Sequence, residues 1–286
     1  MVTPKVIYIP KGSINKIITQ LERERFDLFK LDSFFLRFLG SPQTGWIEMS
    51  ITKMRKADFL YKITTAKSAS QTITLIPGET TYIFLQQLSK KLHLNFNILQ
   101  KEYKKQTYIK EGAFVPETYK IPLEINEKKL IYILLSHSLH QMKQFSLKTL
   151  GFYDEQKWHK YLSIASVIQK ESANRNEMPL VSSVIYNRLK KGMKLQMDGT
   201  LNYGKYSHIK IKAKRIREDS SSYNTYKYRG VPKYPVCNVG FDAIKSAIYP
   251  AKTNYLYFMK NKNGVHDFSC NYSTHLKNIN ATKRNK

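Results

Sequence analysis

At 286 residues the chain is long enough for one large domain or two smaller ones, each with its own core. Forty-eight basic against twenty-one acidic side chains give a formal +27, which points to anionic surroundings; a lysine-rich proteome would give the same excess, and no zinc-finger, RRM or KH signature joins it to suggest nucleic acid. Two cysteines, Cys237 and Cys270, exclude a disulfide framework and a multi-cysteine zinc site, leaving one bridge or two free thiols.

Val6-Ile7-Tyr8-Ile9 reads as a short strand stopped by Pro10-Lys11-Gly12, after which Ile14, Ile17, Ile18 and Leu21 recur at helical spacing. A helical pattern at Asp32 to Leu39, a turn at Gly40-Ser41-Pro42, a strand at Gly45 to Met49 and a Lys-rich amphipathic helix from Lys53 to Thr64 follow. The opening unit then returns 67 residues later: Ile73 to Ile76 as strand, Pro77-Gly78 as breaker, and Tyr82, Leu85 and Leu88 as helix. Residues 1–102 therefore read as a small α+β module with two strand-turn-helix repeats, and residues 103–286 as a larger α+β domain.

Tyr103 to Lys110 is polar and basic, a linker by composition. Leu130 to Phe145 forms an amphipathic helix, whose His137 and His140 suit surface or packing roles. In the next helical run Ile164, Val167 and Ile168 precede Glu171 by seven, four and three residues, so a carboxyl group ends an apolar stripe. Such a placement raises a carboxyl pKa by desolvation, and an acid still protonated near neutrality can donate to a leaving oxygen. Pro179 opens a second helix, with Leu180, Val181, Val184, Ile185 and Leu189 in phase, and Gly192 stops it. Met193 to Gly204 has no period and is rich in amide, carboxylate, hydroxyl and phenol groups, as suits a polyhydroxylated ligand.

Lys205 to Asp219, strongly basic and aperiodic, reads as a mobile flap or insertion. Phe241 to Tyr249 is a short helix closed by Pro250, and Tyr255–Met259 with Val265–Ser269 make a hairpin through Asn263-Gly264. The basic tail from Lys277 reads as a frayed helix. His266 lies four residues before Cys270, but in a strand-like setting that does not suit a metal pair, and no metal or cofactor is expected.

Ile164-Ala165-Ser166, Lys170-Glu171-Ser172, Val184 to Leu189, Gly192-Met193, Leu195-Gln196, Asp198-Gly199-Thr200 and Tyr223-Asn224-Thr225-Tyr226 occur in one order along the chain. Together they resemble the MltG (YceG-like) family of endolytic murein transglycosylases, whose pattern is close to ASIVEKET, YNRL, GMxLQxDPT and YNTY. Glu111 to Tyr119 is similar to the family's EGxLxPDTY, with Glu117 in the aspartate position. Ser172 stands where threonine is usual, Gly199 where proline is usual, and Gly230 to Val236 departs from GLPPGPI.

The resemblance implies a LysM-like N-terminal module, which would hold N-acetylated glycans or merely support the rest, followed by a YceG-like catalytic domain. It implies cleavage of the MurNAc–GlcNAc bond within nascent glycan strands, with a 1,6-anhydro-MurNAc product that ends strand growth. Glu171 would act as acid and then base. Asn187, Gln196, Asp198 and Thr200 would position the sugars, facing Tyr223, Asn224, Thr225 and Tyr226; for Asp198 a turn-capping role stays open, and His266 is a further substrate-binding candidate against a packing role. Expected partners are peptidoglycan strands and, by resemblance, peptidoglycan synthases of the elongation or division machinery, not nucleic acid. The expected location is the outer, periplasmic face of the cytoplasmic membrane, through a single-pass N-terminal anchor trimmed from this chain. The departures at Gly199 and Gly230 to Val236 keep open a murein-binding scaffold without activity, and the charge alone keeps open a nucleic-acid binder.

Overall fold

The computed structural model describes residues 1–49 and 51–284, which separate into two units. One takes Met1–Ile73 and Thr118–Asn126; the other takes Thr74–Glu117 and the chain from Glu127 onward.

In the first unit β1 (Val6–Ile9) buries Ile7 and Ile9 in alternation. Ser13 then accepts the Lys16 N–H to start α1 (Ile14–Arg23), which turns Ile17, Ile18 and Leu21 inward. α2 (Asp32–Leu39) is followed by β2 (Gly45–Glu48), antiparallel to β1 with Ile7 opposite Ile47. Phe59, Leu60 and Ile63 of α3 (Lys56–Thr65) complete the core with Leu28, Leu36 and Met49. β3 (Ser70–Thr74) pairs with β4 (Thr118–Pro122).

The second unit begins with α4 (Thr81–Leu92) and α5 (Phe96–Gln106). Both strand-turn-helix copies form; the first lies in one unit, the second starts on β3 of that unit and continues into α4 of the other, and the expected division after residue 102 falls inside the second unit. The reason is packing: Phe84 and Tyr103 set their rings about 5.4 Å and 5.3 Å from that of Phe114. Consequently Tyr103 to Lys110 is not simply a linker, because α5 continues to Gln106 and buries Leu99 and Tyr103 beneath a lysine-rich surface.

α6 (Glu127–Leu150), α7 (Glu155–Glu171) and α8 (Met178–Lys190) carry most of this unit's core, including Trp158, Val167, Ile168, Val181 and Ile185. The Lys205–Asp219 segment is folded rather than a flap. It contains α9 (Ala213–Glu218), His208 bonds Glu79 at 2.7 Å, and the Asn224 amide donates to the carbonyls of Ile216 and Asp219. α10 (Phe241–Ile248) packs on α7 and α8, adding Ala243, Ile244 and Ala247 to the core. The predicted hairpin forms from β5 (Tyr257–Lys260) and β6 (His266–Ser269), with Gly264 at φ 80° in its turn. α11 (Tyr272–Arg284) ends the description; the last two residues of the basic tail, Asn285 and Lys286, lie outside it. Cys237, buried, and Cys270, exposed, are both free thiols. His137 pairs with Glu117 on the surface of this unit.

Candidate active site

α7 is the element that fixes the site. Asp154 caps its start by accepting the Lys157 N–H at 2.7 Å, and its inward face buries Leu162, Ile164, Val167 and Ile168. Glu171 is its last residue, so the carboxyl group leaves the core at the helix end, as the apolar stripe predicts.

Beyond α8 the chain is turned back by Gly192 at φ 64°, with Met193 N–H donating to the Arg188 carbonyl. It then passes through Gln196, at the left-handed φ of 51°, into a single 3-10 turn at Asp198–Leu201. That turn presents the N–H of Gly199 to Oε1 of Glu171 at 2.7 Å. A Cβ at position 199 would stand 2.8 Å from Oε1 and 2.7 Å from Cβ of Lys170, so the contact requires glycine.

The carboxyl pKa of Glu171 is raised to about 7. Burial is the main cause; the Gly199 hydrogen bond opposes it, the charge of Asp198 adds to it, and the charge of Arg188 opposes it. Arg188 is buried, and its guanidinium donates to the carbonyls of Leu256 and Leu195, both at 2.6 Å. It ties α8 to the loop that follows Gly192 while placing a positive charge near Glu171. Sequence reading passed over it, because the Tyr-Asn-Arg-Leu block gives no sign that the arginine lies inside.

The other candidates divide into two sets. Gln196 and Asp198 are exposed, and the half-buried Tyr226 donates its hydroxyl to Asp198 at 2.7 Å. Asp198 and Tyr226 lie close enough to Glu171 to act on its charge, and Gln196 stands exposed on the same loop. Thr200, Asn224 and Thr225 are instead buried. Thr225 Oγ1 accepts the Met197 N–H at 3.0 Å, Thr200 Oγ1 donates to the Met197 carbonyl at 2.7 Å, and Asn224 Oδ1 accepts the Tyr226 N–H. They hold the loop to its opposite wall. Asn187 spends both amide hydrogens on the carbonyls of Thr253 and Tyr255. His266 is clamped on Glu177: its N–H donates to Oε1 at 2.8 Å and its Nδ1 lies 2.7 Å from Oε2.

Tyr223 stacks on Tyr203, ring centroids 4.4 Å apart, and both line a cavity of about 460 Å³ with Tyr82, Tyr103 and Glu111. Glu111 is buried, and its carboxyl, like that of Glu171, is raised to about 7, by desolvation against hydrogen bonds from Thr81 and Gly112. All three bonds go to Oε1. Its motif is visible in the sequence, but nothing there marks the burial. Among the described residues no cluster of histidine, cysteine, aspartate and glutamate is arranged to hold a metal.

The model of the YceG-like family matches residues 7–281. An endolytic murein transglycosylase of Bacillus subtilis strain 168 is 29% identical over 95% of this chain and 82% of its own length. An endolytic murein transglycosylase of Streptococcus pneumoniae is 32% identical over 60% of this chain and 32% of its own. A crystal structure of a YceG-like protein from Listeria monocytogenes superposes with a TM-score of 0.62 at 26% identity, covering 95% of this chain and 98% of that one.

Proposed function

This chain belongs to the YceG-like family, and from that premise we propose that it is an endolytic murein transglycosylase with Glu171 as its acid and base. The observation that carries the reading is the state of that carboxyl group: raised to about 7, at the end of a buried helix, with one oxygen held by a backbone N–H.

Cleaving a glycoside by water normally takes two carboxyl groups. Transglycosylation needs one. Protonated Glu171 gives its proton to the oxygen between MurNAc and GlcNAc as that bond breaks. The carboxylate so formed takes the proton of the MurNAc C6 hydroxyl, which closes on its own anomeric carbon. The product is a 1,6-anhydro-MurNAc end, and no water is consumed. Because the nucleophile belongs to the sugar itself, proximity replaces activation of a solvent molecule.

In this reading Gln196, Asp198 and Tyr226 face the sugars. Thr200, Asn224, Thr225 and Asn187 act one step back, by fixing the loop and α8. The cavity at Glu111 and Tyr223 takes a flanking saccharide of the same strand, because Tyr203 and Gly204, which line it, continue the loop that holds Glu171. Tyrosine faces with a few polar groups suit a pyranose ring. Two lysines at the cavity, Lys104 and Lys110, complement the lactyl and peptide carboxylates of murein. Cutting nascent strands would end their elongation and set glycan length beside the synthases. A location at the outer face of the cytoplasmic membrane, with an N-terminal anchor, suits that role and rests on the family resemblance. The N-terminal unit would act as a LysM-like glycan-holding or supporting module.

Incubation with purified sacculi, followed by mass spectrometry of the soluble products, tests the proposal. Anhydro-ended fragments from the wild type and none from Glu171→Gln are expected. Reducing ends, or no fragments from the wild type, would overturn it, the second in favour of a murein-binding scaffold.

A further inference from the structure

α2 is built the wrong way round for a core helix. Leu31, Phe34, Phe35 and Phe38 recur at the spacing of one helical face, the pattern that ordinarily marks the buried side. In the structure that face is outside: the four are 72%, 65%, 67% and 94% exposed, and Phe29 just before them is 57% exposed. The residues α2 buries are Asp32, Ser33 and Leu36. Large apolar side chains standing contiguously in water mark a surface meant to be covered.

The charges around the patch say by what. Asp32, the acidic residue of α2, is turned inward, where it accepts the Phe29 N–H at 2.8 Å and lies 3.5 Å from Nζ of Lys56. The helix therefore shows no carboxylate on the aromatic face. Cations flank it, with Lys56 Nζ 4.4 Å from the centre of the Phe29 ring and the Arg37 guanidinium 5.7 Å from that of Phe34; the exposed carboxylate at the edge is Asp27, 3.9 Å from Lys56 Nζ. The unit that carries α2 has thirteen basic against seven acidic residues. Apolar rings flanked by long cationic side chains match an anionic bilayer surface, with the rings among the upper acyl chains and the cations at the headgroups.

We propose that the aromatic face of α2 is a membrane-contact surface, which seats the N-terminal unit on an anionic lipid leaflet. The contact is independent of the catalytic assignment, and it acts in addition to any anchor. A transmembrane segment fixes distance from the bilayer but leaves rotation free; a side-on contact fixes the unit's orientation.

Co-sedimentation with vesicles of equal parts phosphatidylglycerol and phosphatidylcholine, at physiological salt and again at 0.5 M, tests this. So basic a protein adheres to anionic vesicles by charge alone, and high salt screens that component. Wild type is expected to keep measurable binding at high salt, and Phe35→Ser/Phe38→Ser to lose at least about tenfold of it while melting as wild type does. A tryptophan placed by Phe38→Trp should blue-shift and be quenched by brominated lipid. Equal high-salt binding of wild type and the double variant would overturn the proposal. So would an unquenched tryptophan, or a double variant that changes self-association in sedimentation velocity and leaves vesicle binding intact.

Discussion

The backbone N–H of Gly199 lies 2.7 Å from Oε1 of Glu171, joining a loop to the end of a helix 28 residues earlier. The contact has two consequences. It fixes the carboxyl rotamer, and it favours the ionised form, opposing the desolvation that raises the pKa to about 7. Proline, usual at this place in the family pattern, could not donate this hydrogen bond. Gly199→Ala keeps the N–H but sets a methyl group 2.8 Å from Oε1, displacing the carboxyl. We expect kcat to fall roughly 10- to 100-fold with KM little changed, because the loss lies in positioning. Steady-state release of anhydro-ended fragments measures it.

The same pKa sets the pH profile. General-acid catalysis needs protonated Glu171, so kcat/KM should decline above pH 7. Glu111 titrates in the same range and could be mistaken for the source. Glu111→Gln separates them: the declining limb should remain, since Glu111 holds Thr81 and Gly112 rather than the scissile bond.

Stability should move in the opposite sense to activity when Glu171 is neutralised. Its folded pKa exceeds the unfolded value near 4.5, so the native state binds the proton more tightly and loses stability as pH rises from about 4.5 through 7. Glu171→Gln keeps the acceptor for Gly199 and removes that cost. It should be about 1–3 kcal/mol more stable than wild type at pH 8 and nearly equal at pH 4, while lacking activity. Urea unfolding at the two pH values provides the comparison.

How far the sequence reveals this site depends on whether a signal is local. Glu171 was legible because Ile164, Val167 and Ile168 share its helix, and helical phase is written in the chain. The hairpin of His266 is equally local. Gly199 stands out in the sequence only as a departure from the family's usual proline, since a hydrogen bond to a residue 28 positions away leaves no pattern. Thr200, Asn224 and Thr225 look like sugar ligands because polar residues cluster there; only the fold shows their hydrogen bonds spent on Met197, Ile216 and Asp219. Periodicity found the apolar stripe of α2 but could not say that it faces water.

His266 gives a sharp distinction between binding and bracing. Burial alone would raise the Glu177 carboxyl, but hydrogen bonds from the His266 ring, the His266 N–H and the Ala173 N–H, with the histidine's charge, outweigh it and leave the pKa below the usual range. The pair therefore stabilises the fold fully above the unfolded carboxyl pKa, and that share is lost as pH falls through the lower, folded value. Glu177→Gln should lose about 1–3 kcal/mol at pH 7 and progressively less as pH falls below the unfolded carboxyl value. If His266 only braces the segment after Glu171, then His266→Gln lowers the melting temperature and leaves KM for glycan strands within about twofold. A tenfold rise in KM with unchanged melting would place the ring on substrate instead.

The cavity beside Tyr223 makes the last prediction one about length. Gln100 lies on α5, half-buried at the edge of this space, where a larger side chain can be added without opening the core. Gln100→Trp would narrow the mouth of the roughly 460 Å³ space and crowd a sugar ring entering it. A glycan long enough to reach past Tyr203 and Gly204 then loses a contact that a short one never made. The KM for long strands should rise about tenfold, that for a minimal muropeptide should not move, and kcat should hold for both, because the loss is binding shared by ground and transition states. Competition between strands of defined length, read as the product distribution, compares the two substrates in one tube. An equal effect on both would remove the cavity from the glycan's path while leaving Glu171 and its chemistry untouched.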